Sequence, residues 1–299
     1  PFACFCDNIF TFAHSANDFM EISRRLQAAL SSAGWRLPDD RMEYQVNRHI
    51  CESDLAVMHP FSRRPSGVAF KTLGCKIVVA GTSHADITFK RHICSSAIKS
   101  RHSLWKCPGA SRKNKIKLMH KVASSSFCWS VGAWTITQRQ LSQLRAVFAR
   151  PAKQALRAPR LWSESEEKYH RRLNGILKQT LNDAATDRID HYVLKRMYDY
   201  TGHLVRVLAE NPRHLTGMLL QFRDAQFKEA MTGVLGHQGH AGRFAPWCWE
   251  RQYHAFFHHL GERWQDIARD KAQWHNHRQA WITYMTRGRA AVDNLLIPV

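Results

Sequence analysis

The sequence has 299 residues, a net charge of +20 and 44% hydrophobic residues, a combination typical of a globular protein with one large or two ordinary domains and not of a disordered chain. Its apolar runs fall short of the roughly 20 residues that cross a bilayer, and no secretory leader pattern is present. We therefore expect an intracellular protein, in the nucleus or the cytoplasm, without a membrane partner.

The first residues predict a β-hairpin followed by a helix. Two Phe-rich runs flank the polar pair Asp7-Asn8, which suits a tight turn. Apolar residues then recur at helical spacing, with Ser15 or Asn17 able to cap the start of the helix and Gly34 able to end it. An acid at the hairpin tip is either an ordinary turn residue or a metal ligand, and composition alone favours the turn.

A second hairpin is predicted over residues 68–79, with its turn near Leu73-Gly74. From there the pattern becomes helical. We predict a helix over about 85–104, broken by Pro108-Gly109. Its inward residues are expected to be Ile93, Ala97 and Leu104.

Two more helices complete a small basic bundle. The first starts near Ser111, and the second follows Thr137. The first helix should bury Ile116, Met119 and Ala123 and hold its lysines largely off that face. The residues expected to be buried in the second are Leu141, Leu144 and Phe148.

The segment 87–163 contains sixteen Lys or Arg and no Asp or Glu. A surface that is basic only for solubility normally carries interspersed acids, so this segment, with Trp105, Trp129 and Trp134 interleaved, favours a polyanionic partner, in the first place nucleic acid. A membrane surface is less favoured, because the cations do not follow one face of a single amphipathic helix. A merely solvated basic surface remains the alternative.

Beyond a boundary near Pro159 the charge is mixed and helices follow one another. Ser163 to Glu166 has the spacing of a capping box, and Trp264, Ile267 and Trp274 are spaced as core residues of one helix. Further helices are predicted near 187–209, 214–232, 248–260 and 263–286. The predicted fold class is therefore α+β and mostly α, with parts at 1–86, 87–160 and 161–299.

The order of these elements resembles the C-terminal part of the reverse transcriptases of non-LTR (LINE-type) retrotransposons. Phe5-Cys6-Asp7-Asn8 stands where that family has an aromatic residue, any residue and two aspartates on a palm hairpin. The helix ending in Gly34-Trp35-Arg36-Leu37, with Arg41 after it, is similar to the next palm motif, although the family usually has lysine at the position of Arg41.

Later segments extend the resemblance. Phe70 to Gly74 looks like the hairpin that grips the primer, and residues 87–158 resemble the thumb, including Lys115 to Lys121 and Trp134 to Thr137. Gly202 to Arg206 and Trp264 to Trp274 are similar to segments common after the thumb. The first predicted part would then be a palm remnant, the second a thumb bundle and the third a C-terminal helical region.

This resemblance implies an RNA-directed DNA polymerase with Mg²⁺ as cofactor, RNA and DNA in a primer–template duplex as partners, and no small-molecule cofactor beyond metal and nucleotide. Asp7 would be a catalytic metal ligand and Asn8 would hold the second catalytic position. Asn8 lacks a charge, however, and the family's upstream aspartate has no counterpart, because the chain starts six residues before Asp7. One carboxylate cannot hold two Mg²⁺ ions. We therefore expect a fragment, lacking N-terminal partner elements, that does not polymerise alone.

Cationic side chains are the expected contacts with nucleic acid, although Lys71 and Lys76 could equally be exposed strand residues. The residues predicted to bind nucleic acid are Arg41, Lys71, Lys76, Lys90, Arg91, Lys99, Arg101, Arg112, Lys113, Lys115, Lys117 and Lys121. Two other functions stay open: a stand-alone basic helical nucleic-acid-binding protein without catalysis, and a decayed element that folds poorly.

The eight cysteines include no CxxC pair and are expected to be reduced thiols. Cys248, His254 and His258 are a candidate metal group, since the two histidines lie one helical turn apart. Their spacing does not fit a closed four-ligand zinc site, so the sequence favours histidines on a helix surface.

Overall fold

The structure is a computed structural model and describes the following residues: 2–5, 8–11, 13, 15–36, 42–44, 46, 52–58, 61–63, 69–72, 75–77, 83–127, 130–211, 250–288 and 291. Helices predominate among them and strands are few and short, which confirms the predicted α+β, mostly α, fold class. By residue contacts the chain divides into two units, 1–85 and 86–299.

The first unit opens with the predicted hairpin. Strands β1 (Phe2–Phe5) and β2 (Asn8–Thr11) pair antiparallel, with Phe5 opposite Asn8. Asn8 is therefore the first residue of β2 and not part of the tip, which corrects the prediction of an Asp7-Asn8 turn. Asp7 lies outside the described residues.

Helix α1 (Ala16–Ser32) begins and ends as the sequence predicts. The Ser15 hydroxyl accepts a hydrogen bond from a backbone N–H of the first turn, at 3.1 Å. After the helix, Gly34 adopts a φ of +79°, and the N–H of Trp35 reaches back to the carbonyl of Leu30 at 2.8 Å. Glycine suits this position because L side chains rarely adopt positive φ.

The rest of the first unit consists of short pieces. Strands β3 (Glu43–Tyr44) and β4 (Ser62–Arg63) pair parallel, and a 3₁₀ helix covers Glu52–Met58. Strands β5 (Phe70–Thr72) and β6 (Cys75–Ile77) form the predicted second hairpin, with Thr72 opposite Cys75. A small core joins α1 to β3 and the 3₁₀ helix, and its buried residues are Ala16, Tyr44, Leu55 and Met58.

The second unit is helical. Its helices are α2 (His84–Lys99), α3 (His102–Lys106), α4 (Arg112–Phe127), α5 (Gln138–Ala155), α6 (Glu166–Asp183), α7 (Ile189–Glu210), α8 (Arg251–His259), α9 (Trp264–Arg269) and α10 (Lys271–Arg287). A 3₁₀ turn, Val131–Ala133, links α4 to α5. The predicted helix over 214–232 lies outside the described residues.

One hydrophobic core runs through all of these helices, and the short α3 contributes Trp105 to it. Ile116, Met119 and Ala123 of α4 are fully buried, and so is Leu144 of α5, as predicted. Helix α4 packs against α5, α6 and α7, and α7 packs against α9 and α10. The predicted boundary near residue 160 therefore falls inside the second unit, where helices on both sides share a core.

The predicted helix over 85–104 is wrong in its length and its inward face. It is two helices, α2 and α3, separated at Ser100-Arg101. Ile93 and Leu104 are exposed, at 36% and 49%, whereas Ile87, Cys94 and Ile98 are buried. Lys90 lies on the same buried face of α2. A search for apolar residues alone therefore assigns the wrong face of this helix to the core.

Two further boundaries differ from the predictions. Ser165, and not Ser163, caps α6, because its hydroxyl accepts a hydrogen bond from the N–H of Lys168 at 3.3 Å. The predicted helix over 263–286 is split into α9 and α10 at Asp270, whose carboxylate accepts hydrogen bonds from two N–H groups of the next turn. Trp264 and Trp274 are each 2% exposed, which confirms their place in the core.

Candidate nucleic-acid interface

The exposed side of α4 carries a stripe of three lysines: Lys113, Lys117 and Lys121, four residues apart. Like charges at this spacing are neighbours on a helix and destabilise it by about 0.2–0.5 kcal/mol per pair. Helix α6 shows the opposite arrangement, with Glu167 paired to Arg171 one turn later. We call the three lysines the α4 stripe.

A second cationic surface lies between α2 and α5. A groove of about 500 Å³ lies between these helices, and none of the described residues that line it is a carboxylate. Its polar lining residues are Arg91, Ser95, Lys99, Gln143, Arg150 and Gln154. The Arg91 guanidinium donates a hydrogen bond to the Gln143 side-chain oxygen, which fixes it against α5. We call this surface the α2–α5 groove.

The cations of segment 87–163 are mostly exposed and unneutralised. Twelve of the sixteen are exposed, Arg91 and Lys153 are half-buried, and two are buried. Within the described part of the chain, Arg145 is the one cation of this segment that forms an ion pair. A surface with this much uncompensated charge attracts polyanions. Repulsion among its cations also disfavours the compact state.

Arg145 differs from the other cations of this segment because it forms an ion pair that links two helices. Its guanidinium lies 3.0 Å from the carboxylate of Asp190, which is fully buried and also receives Arg188 at 2.6 Å. Burial alone would raise the pKa of Asp190, but the hydrogen bonds and charges of Arg188 and Arg145 outweigh it and hold the pKa below its usual value. Asp190 therefore stays ionised and ties α5 to the start of α7.

The structure separates the predicted nucleic-acid contacts into groups. Lys90 and Lys115 are only 5% and 6% exposed, so we leave both out of the interface. Their apolar stems lie among core residues of α2 and α4, which is how a lysine can occupy a buried helix face. The predicted contacts that are exposed are Lys99, Arg101, Arg112, Lys113, Lys117 and Lys121.

The remaining predicted residues belong to the first unit. Arg41 and Asp7 lie outside the described residues, while Lys71 and Asn8 are described only by their places in β5 and β2. Lys76 is half-buried in β6. The predicted Mg²⁺ ligand, Asp7, is thus a carboxylate without described geometry, and we derive no metal-dependent step from it.

Sequence reasoning missed Arg150, Gln143 and Gln154, which line the groove from α5. A signal was available. Once Leu141, Leu144 and Phe148 are assigned to the core, positions 143, 147, 150 and 154 follow one another along the adjacent face of the same helix. The sequence did not predict that this face meets a second helix, because the buried face of α2 was predicted wrongly.

The histidines near the end of the described chain do not complete a metal site. His254 and His258 lie one turn apart with ring centroids at 5.4 Å, and Cys248 lies outside the described residues. Across the described ranges, no three residues among His, Cys, Asp and Glu come together as a metal site requires.

No described helix combines the length and the apolar character that crossing a membrane requires. Comparisons of the chain with protein-family models, with curated proteins and with solved structures give no match. What the protein does must therefore be argued from its own residues and their geometry.

Proposed function

We propose that the chain binds nucleic acid through the α2–α5 groove and the α4 stripe. The groove carries the proposal, because Arg91, Lys99 and Arg150 converge on one concave surface whose described lining residues include no carboxylate. Phosphodiester oxygens accept hydrogen bonds from guanidinium and ammonium groups. Each phosphate that the protein neutralises also releases counterions. An intracellular location, in the nucleus or the cytoplasm, is part of this proposal.

The test is the salt dependence of binding to short DNA and RNA, followed by fluorescence anisotropy. In one variant Lys99 and Arg150 become Gln, and in a second the three lysines of the α4 stripe become Gln. For each phosphate that a variant no longer neutralises, the slope of log K against log salt should become shallower by about 0.7–0.9.

The matched control removes two cations elsewhere. Arg263 and Arg269 are 71% and 67% exposed and lie near Asp266, so Arg263→Gln with Arg269→Gln changes the net charge as much as the groove variant does. The control should leave the slope nearly unchanged. Equal losses of affinity in the control and the groove variant, or no binding at low salt, would refute the proposal.

We further propose, from the resemblance in motif order, that this surface is the thumb of a reverse transcriptase of the non-LTR type. The preferred ligand would then be an RNA–DNA hybrid, and the helices after α5 would belong to the region beyond the thumb. A stand-alone nucleic-acid-binding protein would instead show no preference for the hybrid over DNA and RNA duplexes of the same length. Competition among the three duplexes distinguishes the two functions.

Within that proposal, Mg²⁺ would be held by Asp7, and the chain would supply no second carboxylate beside it, since Asn8 follows. A metal ion there would stabilise charge on phosphate oxygens. With one carboxylate we expect no templated nucleotide addition by this polypeptide alone. A primer-extension assay with Mg²⁺ checks this, and robust extension would contradict it.

A further inference from the structure

The loop between α5 and α6 holds an apolar side chain in solvent. Trp162 is fully exposed, and its neighbour Leu161 is 57% exposed. A single exposed apolar side chain is ordinary, but two adjacent large ones on one loop form a candidate contact surface. Trp162 belongs to no periodic pattern of the sequence.

The tip of this loop is held by a carboxylate clamp. The Arg172 guanidinium donates to both carboxylate oxygens of Glu164, at 2.9 and 2.8 Å, and to the Pro159 carbonyl at 2.7 Å. Leu161 N–H donates to the same carboxylate at 3.2 Å, and Arg160 Nε donates to the Glu164 carbonyl at 2.8 Å. The hydrogen bond from Arg172 lowers the pKa of Glu164 to about 2, so the clamp stays charged in ordinary buffers.

The base of the loop is anchored as well. Leu156 and Ala158 are buried, at 1% and 7% exposure, and the Tyr169 hydroxyl donates to the Ala158 carbonyl at 3.2 Å. Between them Arg157 adopts a φ of +47°, which turns the chain outward. The tip therefore presents Trp162 from a loop fixed at both ends. The backbone that carries Trp162 loses little further freedom when a ligand covers the indole.

The charge around Trp162 suits a polyanion. Trp162 lies at the end of the acid-free segment 87–163, and residues 157–172 contain five Lys or Arg against three Glu. Two of these glutamates pair with an arginine, and the third lies near a histidine that is charged only when protonated. The pairs are Glu164 with Arg172, Glu166 with His170 at 3.6 Å, and Glu167 with Arg171. Arg160 uses one of its five N–H donors on the loop itself.

We propose that Trp162 is a stacking platform for an unpaired base of single-stranded nucleic acid, with Arg160 beside it for the adjoining phosphate. This inference rests on the proposed function, since it requires that the chain bind nucleic acid. Any base offers a π face to an exposed indole, so recognition would be tolerant of sequence. A duplex keeps its bases stacked inside, and the platform would therefore favour single strands.

The experiment compares Trp162→Ala and Trp162→Phe with the wild-type chain. Affinities are measured for a 12-nucleotide single strand and for a blunt duplex. Trp162→Ala should weaken single-strand binding about 5- to 150-fold, the range that loss of one base–aromatic stack produces, and should change duplex binding less than twofold. Trp162→Phe keeps a π face and should retain most of the affinity.

Trp35 supplies the matched control, because it is another exposed tryptophan, at 65%, on the first unit. Trp35→Ala should bind both ligands as the wild type does. Thermal unfolding of all variants should match the wild type, since neither side chain is buried. Ligand binding should also quench the fluorescence of Trp162, measured as the quenching of the wild type minus that of Trp162→Phe. This difference should be clear with the single strand and small with the duplex.

The possible failures are separable. If the wild-type chain binds neither ligand at low salt, the proposed function fails. If it binds the duplex and Trp162→Ala leaves single-strand affinity within twofold, the stacking inference alone fails. Equal losses for both ligands would also overturn it. So would a Trp162-dependent self-association in sedimentation without a change in single-strand affinity, which would make the loop a protein-docking element.

Discussion

Tyr198 and Trp274 each donate a hydrogen bond to the other's backbone carbonyl. The Tyr198 hydroxyl reaches Trp274 O at 2.9 Å, Trp274 Nε1 reaches Tyr198 O at 3.0 Å, and the two rings stack with centroids 4.0 Å apart. Both residues are buried, 76 positions apart, on α7 and α10. Tyr253 and Trp281 continue the aromatic cluster as a second stacked pair at 5.1 Å. This cluster fastens α7 to the helices beyond residue 250.

Replacing Tyr198 by Phe should destabilise the protein by about 1–3 kcal/mol. The change removes one donor and leaves the buried Trp274 carbonyl without that hydrogen bond, while the ring and its stacking remain. Urea denaturation measures the free energy of unfolding. Tyr200→Phe is the control, because Tyr200 is 40% exposed, and it should stay within about 0.5 kcal/mol of the wild type. Equal values for the two variants would contradict the role given to the Tyr198 hydroxyl.

Gly202→Ala should destabilise the protein by about 2 kcal/mol. A Cβ at this position would lie 2.3 Å from Trp274 Nε1, and Tyr198 holds that indole in place. Overpacking of this kind costs about 1–3 kcal/mol, more than the helix propensity gained by alanine. In the control Gly175→Ala, the Cβ on α6 meets nothing within 4 Å, and we expect stabilisation by about 0.5–1 kcal/mol. In thermal unfolding, Gly202→Ala should lower the Tm and Gly175→Ala should raise it, and a change in the same direction for both would contradict this account.

Asp190→Asn should cost about 2–3 kcal/mol. It leaves the guanidinium groups of Arg145 and Arg188 without the carboxylate they share, and their partial exposure holds the cost below that of a wholly buried pair. Glu167→Gln removes an exposed partner from Arg171 and should change stability by less than about 0.5 kcal/mol. A loss for Asp190→Asn no larger than for Glu167→Gln would show that α5 and α7 do not depend on this contact.

Acidification should destabilise the fold through His120. Its ring is 7% exposed, packs edge-on against Phe148 and Tyr192, and leaves Nε2 without a hydrogen-bond partner among the described residues. Burial lowers the pKa of His120, and the nearby Asp187 opposes this only in part. The unfolded chain therefore binds the proton more strongly, and stability is lost as the pH falls below the ordinary value of about 6.5.

The measurement is the free energy of unfolding between pH 7.5 and pH 5. His120 contributes at most about 1.4 kcal/mol per pH unit, and His191, whose pKa is also lowered by burial, contributes in the same direction. In His120→Phe the slope should be smaller, whereas the exposed His203→Gln should keep the wild-type slope. An unchanged slope in His120→Phe would mean that this imidazole is not buried neutral.

The elements that follow one local rule were predictable from the sequence. Both hairpins were predictable from apolar runs on either side of a turn, although Asn8, expected in the first turn, opens β2. Helices α1 and α4 have regular apolar faces between a capping serine and a break. Helix α2 was mis-phased because Lys90 interrupts its buried face. No local pattern distinguishes a lysine on a buried helix face from one that faces water, since the difference is set by the neighbouring helices.

The candidate site was predictable in composition and not in shape. The missing acids of segment 87–163 are visible in the sequence, but the groove depends on which faces of α2 and α5 meet. Arg145 shows the same limit, because only the fold brings it to Asp190, 45 residues away. Trp162 gave no signal, since exposure of a loop residue is a property of the folded chain.

The core of the second unit also determines when the chain can fold during synthesis. The Gln252 side chain donates to the carbonyl of Trp134, 118 residues earlier, and the Gln138 side chain donates to that of Met285, 147 residues later. At about 5–20 residues per second, a ribosome needs roughly 7–30 s to make those 147 residues. Until the helices beyond residue 250 are made, Tyr198 of α7 lacks the aromatic partners that bury it, and apolar surface exposed on a nascent chain favours aggregation.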